Sequence, residues 1–206
     1  MNNVKIKYNP DIHHRRSIRL KGYDYSKTGL YFLTICAQDR LCLFGEIQNG
    51  EMILNDAGKM IQAVWNEIPI YYNGFDVNGF VVMPNHIHGI IEIKHNSTPA
   101  DIVGAGPCAC PQSIGQPRKG QPQGVAPTGE RMSLFDIVHR FKTLTTKQYT
   151  DGVKQNNWQR FNKKLWQRNY YEHIIRSEKS YLQISEYIQT NPLKWYEDKY
   201  YESDNV

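Results

Sequence analysis

The stretch from Phe75 to Lys94 constrains the fold of this chain more than any other part of the sequence. It contains two apolar segments rich in β-branched residues, and Met83-Pro84-Asn85 lies between them. Proline cannot donate a hydrogen bond to a sheet ladder, so we place Pro84 at a bend or an edge between two strands. The stretch therefore predicts two successive strands joined near Pro84.

The flanking segments predict further strands before this pair and helices around it. Asn-Gly between two apolar runs is the strongest short signal for a β-hairpin. Apolar residues spaced by about 3.6 positions after a capping residue indicate a helix. We predict strands at Leu30–Ala37, Leu41–Ile47 and Glu51–Leu54, and helices after Asn55-Asp56 as far as Pro69, at Leu134–Tyr149 after Ser133, and at Ser177–Thr190. This order favours the α+β class, with an antiparallel sheet covered by helices on one face.

The chain has 206 residues, a length that can bury one sizeable core. We expect a basic N-terminal arm over residues 1–22 and a single domain over residues 23–206. Residues 96–131 interrupt this domain with six glycines and six prolines in 36 residues, a low-complexity composition. We expect poor order in this insert, and the sequence does not reveal its role.

Composition also limits the cellular setting. No apolar run approaches the roughly 18–20 residues of a membrane span, and the N-terminus lacks the apolar region of a secretory signal. We therefore expect a cytoplasmic protein without a membrane partner. The four cysteines do not form two suitably spaced pairs for zinc, so we interpret all four as free thiols. They are Cys36, Cys42, Cys108 and Cys110.

Basic residues are concentrated in two stretches, although the net charge is only +5. Between Ile137 and Tyr170, eight Lys and Arg residues stand against the single acid Asp151. The aromatic residues Trp158, Phe161, Trp166, Tyr170 and Tyr171 are interleaved with them or follow directly. Such stretches can contact phosphates, and rings beside cations suit unstacked bases. The alternative is a solvated basic face without a partner. The DNA-contact candidates are Arg15, Arg16, Arg19, Lys21, Arg140, Lys142, Lys147 and Arg168.

His86 and His88 are candidate metal ligands. Side chains alternate between the faces of a strand, so both imidazoles point the same way while Ile87 points into the core. Two such rings are close enough to share one ion. The spacing alone is equally compatible with two histidines on a solvated strand face that bind nothing.

Two histidines rarely complete a metal site, so a further ligand must come from elsewhere in the chain. Carboxylates or amides near the C-terminal helix are candidates. Tyr187 and Asn191 are four residues apart and would share one face of that helix if its last turn extends to Asn191. A tyrosine at helical spacing is, however, more often a core residue with a satisfied hydroxyl.

Three blocks of the sequence resemble one known family. Met83–Ile91 (MPNHIHGII) resembles the His-hydrophobic-His strand of single-tyrosine HUH transposases of the IS200-like superfamily. Trp166–Arg176 (WQRNYYEHIIR) and Tyr187–Pro192 (YIQTNP) are similar to C-terminal blocks of the REP-associated tyrosine transposases within it. The resemblance extends from about Arg16 to Trp195 and is interrupted by the low-complexity insert, which departs from the compact family pattern.

The resemblance implies a ferredoxin-like, RRM-like sheet, with His86 and His88 as metal ligands, Tyr187 as the nucleophile and Asn191 as the third ligand. It implies cleavage and rejoining of single-stranded DNA at palindromic hairpins through a covalent 5′-phosphotyrosine, with Mg²⁺ or Mn²⁺ bound. Two histidines and an amide would be neutral ligands, so the ion would keep its full charge for the phosphate. The resemblance leaves the roles of Glu172 and His173 open between orienting the ligands and pairing with Arg176.

Two other functions remain open from the residues alone. One is a non-catalytic nucleic-acid-binding module on the same sheet, and the other is a metal-dependent nuclease in which water is the nucleophile. A covalent protein–DNA adduct is expected only for the tyrosine mechanism. The sequence does not distinguish a monomer from a homodimer.

Overall fold

The computed structural model describes residues 19–94 and 132–201. The predictions made for the Gly/Pro-rich insert, for Cys108 and Cys110, and for Arg15 and Arg16 concern residues outside these ranges. The predicted division into an arm and one domain likewise remains a prediction. Within the described ranges no helix is both long enough and apolar enough to cross a membrane.

Six strands and four helices form the described part of the chain. The strands are β1 (Gly29–Cys36), β2 (Gly45–Gln48), β3 (Glu51–Leu54), β4 (Phe75–Val82), β5 (His86–Ile93) and β6 (Tyr171–Ile175). The helices are α1 (Asp56–Asn66), α2 (Ile68–Tyr71), α3 (Leu134–Gln155) and α4 (Glu178–Thr190). A 3₁₀ segment, Pro192–Glu197, follows α4.

The main sheet has four strands in the order β4-β5-β1-β6, and every neighbouring pair is antiparallel. Without the β2–β3 hairpin, which forms its own small sheet, and the short α2, the chain order is β1-α1-β4-β5-α3-β6. This βαββαβ order, with β1 and β5 in the centre, is the ferredoxin-like arrangement. The predicted α+β class is confirmed.

The two faces of the sheet are covered differently. Tyr31, Leu33 and Ile35 of β1 pack with Ile87 and Ile91 of β5 against α1 and α3, and together they form the main core. On the opposite face a smaller cluster of Phe32, Ile90, Ile175 and Ile188 joins the sheet to α4. The helices predicted on one face are α1 and α3, whereas α4 lies on the other face, together with His86 and His88.

Local signals account for most of the element boundaries. Asn55 and Ser177 accept hydrogen bonds at the starts of α1 and α4, and Ser133 with Asp136 forms a capping box at the start of α3. Asn49 and Gly50 both have positive φ, as the predicted tight hairpin turn requires. The cap and turn predictions are confirmed.

Three boundaries differ from those predicted. Pro69 lies in the first turn of α2 instead of ending a helix. A backbone N–H in the first turn has no hydrogen-bond partner within the helix, so the helix loses nothing when proline lacks it. α3 continues to Gln155, and residues 41–44 are not part of β2. β6 was not predicted as a strand. Its Glu172 points to the buried face, which hides the alternation of apolar and polar residues that identifies a strand.

Gly89 follows the histidine pair and allows Trp65 of α1 to pack directly on the sheet. A Cβ at this position would overlap ring atoms of Trp65, and that ring is stacked on Phe80 with the centroids 4.5 Å apart. We expect Gly89→Ala to lower the free energy of unfolding by about 2 kcal/mol, as overpacking does. Urea denaturation measures this. Gly79→Ala is the matched control, since its Cβ would come no closer than 3.5 Å to any neighbouring atom. Equal losses in the two variants would contradict the explanation.

Candidate active site

His86 and His88 lie on β5 and face the side of the sheet that carries α4. Ile87 between them is fully buried in the main core, as the alternation predicts. Both histidines are also buried, with 0% and 1% of their surface exposed. The alternative of two histidines on a solvated strand face is therefore wrong.

Hydrogen bonding fixes the tautomer of His86. The Nδ2 atom of Asn85 donates to the carbonyl oxygens of Arg40 and Tyr200, at 3.2 and 2.8 Å. Its Oδ1 atom is consequently an acceptor, and Nδ1 of His86 donates to it at 2.8 Å. The proton of the neutral His86 ring is therefore on Nδ1, which leaves a lone pair on Nε2.

The Nε2 atoms of the two histidines lie 3.0 Å apart. Nδ1 of His88 pairs with Oγ1 of Thr34 at 2.9 Å on the neighbouring strand β1. Thr34 can accept from or donate to this nitrogen, so His88 can turn its Nε2 lone pair toward His86 or place a proton there. Two lone pairs converging on one point are the arrangement that a metal cation satisfies.

Both imidazoles are neutral at physiological pH. Burial, with the charges of Lys199 and Arg40 acting in the same direction, lowers the pKa of His86 to about 3. Burial also holds the pKa of His88 well below its ordinary value, with His86 acting in the same direction. Neutral imidazole is the form that binds metals, so protons do not compete for these nitrogens near neutral pH.

Tyr187 reaches this pair from α4, 99 residues further along the chain. Its hydroxyl lies 3.2 Å from Nε2 of His88, and the residue remains 38% exposed. The ring stands edge-on to Phe32 at 6.2 Å. The structure thus brings together the two histidines and the tyrosine that the sequence singled out.

Asn191 directly follows α4 and is 2% exposed. Its Nδ2 donates to Oδ2 of Asp198 at 3.0 Å, which fixes the amide orientation. Its Oδ1 is buried and has no hydrogen-bond partner among the described residues. A buried acceptor without a partner is rare and requires an explanation, and a bound cation would provide one.

Asp198 is a site residue that the sequence did not single out. Its carboxylate and the ring nitrogens of His86 and His88 lie within 4.8 Å of one another, a grouping that could hold a metal ion. The amide N–H of Tyr200 donates to the other carboxylate oxygen at 2.7 Å. The 3₁₀ segment after α4 folds back to place Asp198 here, and no spacing rule predicts that turn. Carboxylates near the C-terminal helix were among the candidate ligands.

The tyrosine hydroxyl is protonated in this setting. Burial raises the pKa of Tyr187, and the nearby Asp198 carboxylate raises it further. The phenol therefore needs a positive charge beside it before it can act as an anionic nucleophile.

Three of the basic residues predicted to contact DNA lie on one helix. α3 carries Arg140, Lys142 and Lys147 on the sheet face opposite the histidines. Lys142 is engaged by the protein itself, since its Nζ donates to the carbonyl of Gln167 at 2.9 Å, and burial lowers its pKa to about 8. The guanidinium of Arg140 lies 5.3 Å from the ring centre of Tyr72. Lys147 is exposed.

Arg19, Lys21 and Arg168 are exposed as well. Nε of Arg19 is 3.9 Å from Oε1 of Glu172, whose side chain is buried on the α1–α3 side of the sheet. Glu172 therefore does not face the histidine pair, and Arg19 is the ion-pair partner that the structure shows for it. His173 lies on the same sheet face as the histidine pair and is exposed.

Two known proteins and a solved structure are similar to this chain. No family model matches the chain. A Haemophilus influenzae protein named only as uncharacterized is 45% identical over 204 residues, which cover 96% of this chain and 99% of that protein. Another H. influenzae protein, named "Putative REP-associated tyrosine transposase", is 24% identical over 174 residues, covering 83% of this chain and 74% of the relative. A solved structure of a REP-associated tyrosine transposase bound to a REP hairpin covers 87% of this chain and 74% of its own, with 20% identity and a TM-score of 0.49.

The ferredoxin-like sheet of this chain carries a His-Ile-His strand opposite a tyrosine on a helix. Sequence similarity over most of both chains relates this chain to the putative REP-associated tyrosine transposase of H. influenzae.

Proposed function

We propose that this protein cleaves and rejoins single-stranded DNA with Tyr187 as the nucleophile and a divalent ion at His86 and His88. The observation that carries the proposal is the 3.2 Å distance between the Tyr187 hydroxyl and Nε2 of a buried, neutral histidine. A core tyrosine with a structural role would be buried, whereas this one is 38% exposed on the side where a substrate can approach.

Four side chains would hold the ion. Nε2 of His86 and of His88 offer two lone pairs, Oδ1 of Asn191 is an unpartnered buried acceptor, and Asp198 offers a carboxylate. This mixed nitrogen and oxygen set suits Mn²⁺ or Mg²⁺. When bound, such an ion withdraws charge from a scissile phosphate and favours phenolate over phenol beside it. With Asp198 included the set is not neutral, in contrast to the two histidines and amide that the resemblance implied.

The chain's own residues then account for the covalent step. The Tyr187 oxygen forms a bond to phosphorus and loses its proton to water on the exposed side of the ring. The bond from phosphorus to the 3′ oxygen breaks, and that oxygen takes up a proton. The product is a 5′-phosphotyrosine and a free 3′-hydroxyl, so attack by the hydroxyl on the phosphotyrosine rejoins the strand without an external energy source.

The proposed DNA partner is inferred from a similar protein. The structure of a REP-associated tyrosine transposase contains a bound REP hairpin, and we extend that substrate class, palindromic single-stranded hairpins, to this chain. The exposed Arg19, Lys21, Lys147 and Arg168 remain candidates for contacts to the phosphate backbone, as do Arg15 and Arg16 in the N-terminal arm.

Formation of a covalent adduct tests the proposal directly. The full chain is incubated with a labelled single-stranded hairpin and Mn²⁺, and the mixture is separated on a denaturing gel. We expect a shifted band that EDTA prevents, with the modified peptide identified by mass spectrometry as the one containing Tyr187. Cleavage without a shifted band would favour water as the nucleophile, and EDTA-insensitive binding without cleavage would favour a non-catalytic binding module.

Asp198 provides a separate test of the ligand set. We expect Asp198→Asn to weaken Mn²⁺ binding by about tenfold, because the variant loses one negative charge while keeping a group of the same shape. Calorimetric titration of the purified protein measures the affinity. Glu197→Gln is the control, because it removes the same charge from the exposed neighbouring residue. An Asp198→Asn affinity equal to that of the control would remove Asp198 from the site.

A further inference from the structure

We infer that Tyr171 and Lys199 form a nucleotide-binding position beside Tyr187, in which the ring of Tyr171 stacks on a base and the ammonium group of Lys199 contacts a phosphate. The inference deepens the proposed function and rests on its single-stranded substrate. The sequence alone could not select this pair, because five aromatic residues were named as candidates beside the basic residues and nothing placed Lys199 near any of them. Two further rings of the stretch, Phe141 and Tyr149, are buried in the core.

The structure leaves one of those five rings exposed. Trp166 and Tyr170 are buried, with 4% and 9% of their surface exposed. Trp158 and Phe161 both pack edge-on against Tyr149, with ring centres 5.3 and 5.5 Å from its own. Tyr171, by contrast, is 41% exposed. Only an exposed ring can accept a base on its face, so the aromatic candidates reduce to Tyr171.

Tyr171 lies on the same sheet face as the histidine pair. It is the register partner of Thr34, whose hydroxyl pairs with Nδ1 of His88. One ring, Phe32, separates it from the nucleophile, since Phe32 stands 6.3 Å from Tyr171 and 6.2 Å from Tyr187. A strand whose phosphate lies at Tyr187 would therefore pass within about one nucleotide of Tyr171.

Lys199 places a positive charge at this position. Its Nζ lies 5.5 Å from the ring centre of Tyr171 and 4.8 Å from that of Tyr200. It is also the residue after Asp198, so the same segment that completes the candidate metal site supplies the cation. An exposed ring and an ammonium group at this distance match the base and the phosphate of one nucleotide. β6 is an edge strand of the four-stranded sheet, and among the described residues no further strand pairs with its outer side.

Binding of a defined probe tests the pair. The probe is an oligo(dT) single strand labelled with fluorescein, and fluorescence anisotropy measures its affinity without Mn²⁺, so that no cleavage is involved. We expect Tyr171→Ala to weaken binding about tenfold and Tyr171→Phe to change it less than about twofold, because stacking needs the ring and not the hydroxyl. Tyr71→Ala, which removes an equally exposed tyrosine (40%) from α2, should leave binding unchanged. If Tyr171→Ala does not fold, Tyr171→Leu replaces it, since leucine fills the position without an aromatic face.

Two further measurements test the role of Lys199 and the contact between a base and Tyr171. We expect Lys199→Gln to reduce the salt dependence of binding by about one phosphate contact, a change of about 0.7 in the slope of log affinity against log salt for a single strand. The same oligonucleotide carrying 5-iododeoxyuridine should crosslink to Tyr171 on irradiation, as mass spectrometry of the crosslinked peptide would show.

The outcomes separate this inference from the proposed function. Equal affinities for Tyr171→Ala and Tyr71→Ala, or no binding of the probe by the unaltered protein, would overturn the nucleotide position. A Tyr171-dependent affinity in a protein that forms no covalent adduct would support the position and overturn the cleavage mechanism. Adduct formation with Tyr171-independent binding would do the reverse.

Discussion

Replacing Tyr187 with phenylalanine should abolish the covalent DNA adduct and strand cleavage while leaving DNA binding largely intact. The variant keeps the ring that packs edge-on against Phe32 but lacks the oxygen that would bond to phosphorus. We expect the cleavage rate to fall by more than about a thousandfold, because no other group at this position can form the covalent intermediate. Gel analysis of a labelled single-stranded hairpin with Mn²⁺ measures adduct and cleaved product together.

Tyr181→Phe is the matched control for this experiment. Tyr181 lies on the same helix and packs against the small apolar cluster between α4 and the sheet, so the substitution removes a hydroxyl at a distance from the histidines. It should retain adduct formation. The lost hydrogen bond of Tyr187 to His88 costs about 1 kcal/mol or less, so both variants should remain folded. Equal cleavage by Tyr187→Phe and the unaltered protein would refute the tyrosine mechanism.

The second large effect is expected on metal binding. His88→Ala removes one of the two Nε2 atoms that lie 3.0 Å apart, and we expect the affinity for Mn²⁺ to fall by more than about a hundredfold. Calorimetric titration of the protein without DNA measures this independently of activity. Adduct formation should be lost in parallel, while affinity for single-stranded DNA in EDTA should be little changed.

His173→Ala is the control for the histidine substitution. His173 lies on the same sheet face but on the edge strand β6, where it is exposed. Removing His173 should leave the affinity for Mn²⁺ unchanged, because the group of candidate ligands among the described residues is His86, His88 and Asp198 and does not include His173. Retention of full Mn²⁺ affinity by His88→Ala would show that Mn²⁺ binds at another site.

Much of the fold could be predicted because its signals are local. The caps at Asn55 and Ser133 and the Asn49-Gly50 turn depend on hydrogen bonds and dihedral angles within a few residues. β6 could not be predicted in the same way. Its Glu172 occupies a buried position that an apolar residue would normally fill, and the nearby Arg19 offsets the charge of its carboxylate.

The basic stretch shows the limit of reading charge from sequence. Lys142 was among the residues predicted to contact DNA, yet its ammonium group donates a hydrogen bond to the carbonyl of Gln167 within the protein. Lys199 lies outside both basic stretches and comes to the edge of the site through the turn that follows α4. Charge density along a chain does not say which face of the folded molecule each cation occupies.

The sequence by itself determined that His86 and His88 point to one side of a strand while Ile87 enters the core, since alternation is a property of any strand. It also placed Tyr187 and Asn191 on one turn at the end of a helix. Only the tertiary structure decided that these two pairs meet, that the histidines are buried and not solvated, and that Asp198 joins them. The reason is physical: strand and helix periods act over a few residues, whereas the distance between His88 and Tyr187 depends on how α4 packs across the sheet, 99 residues away.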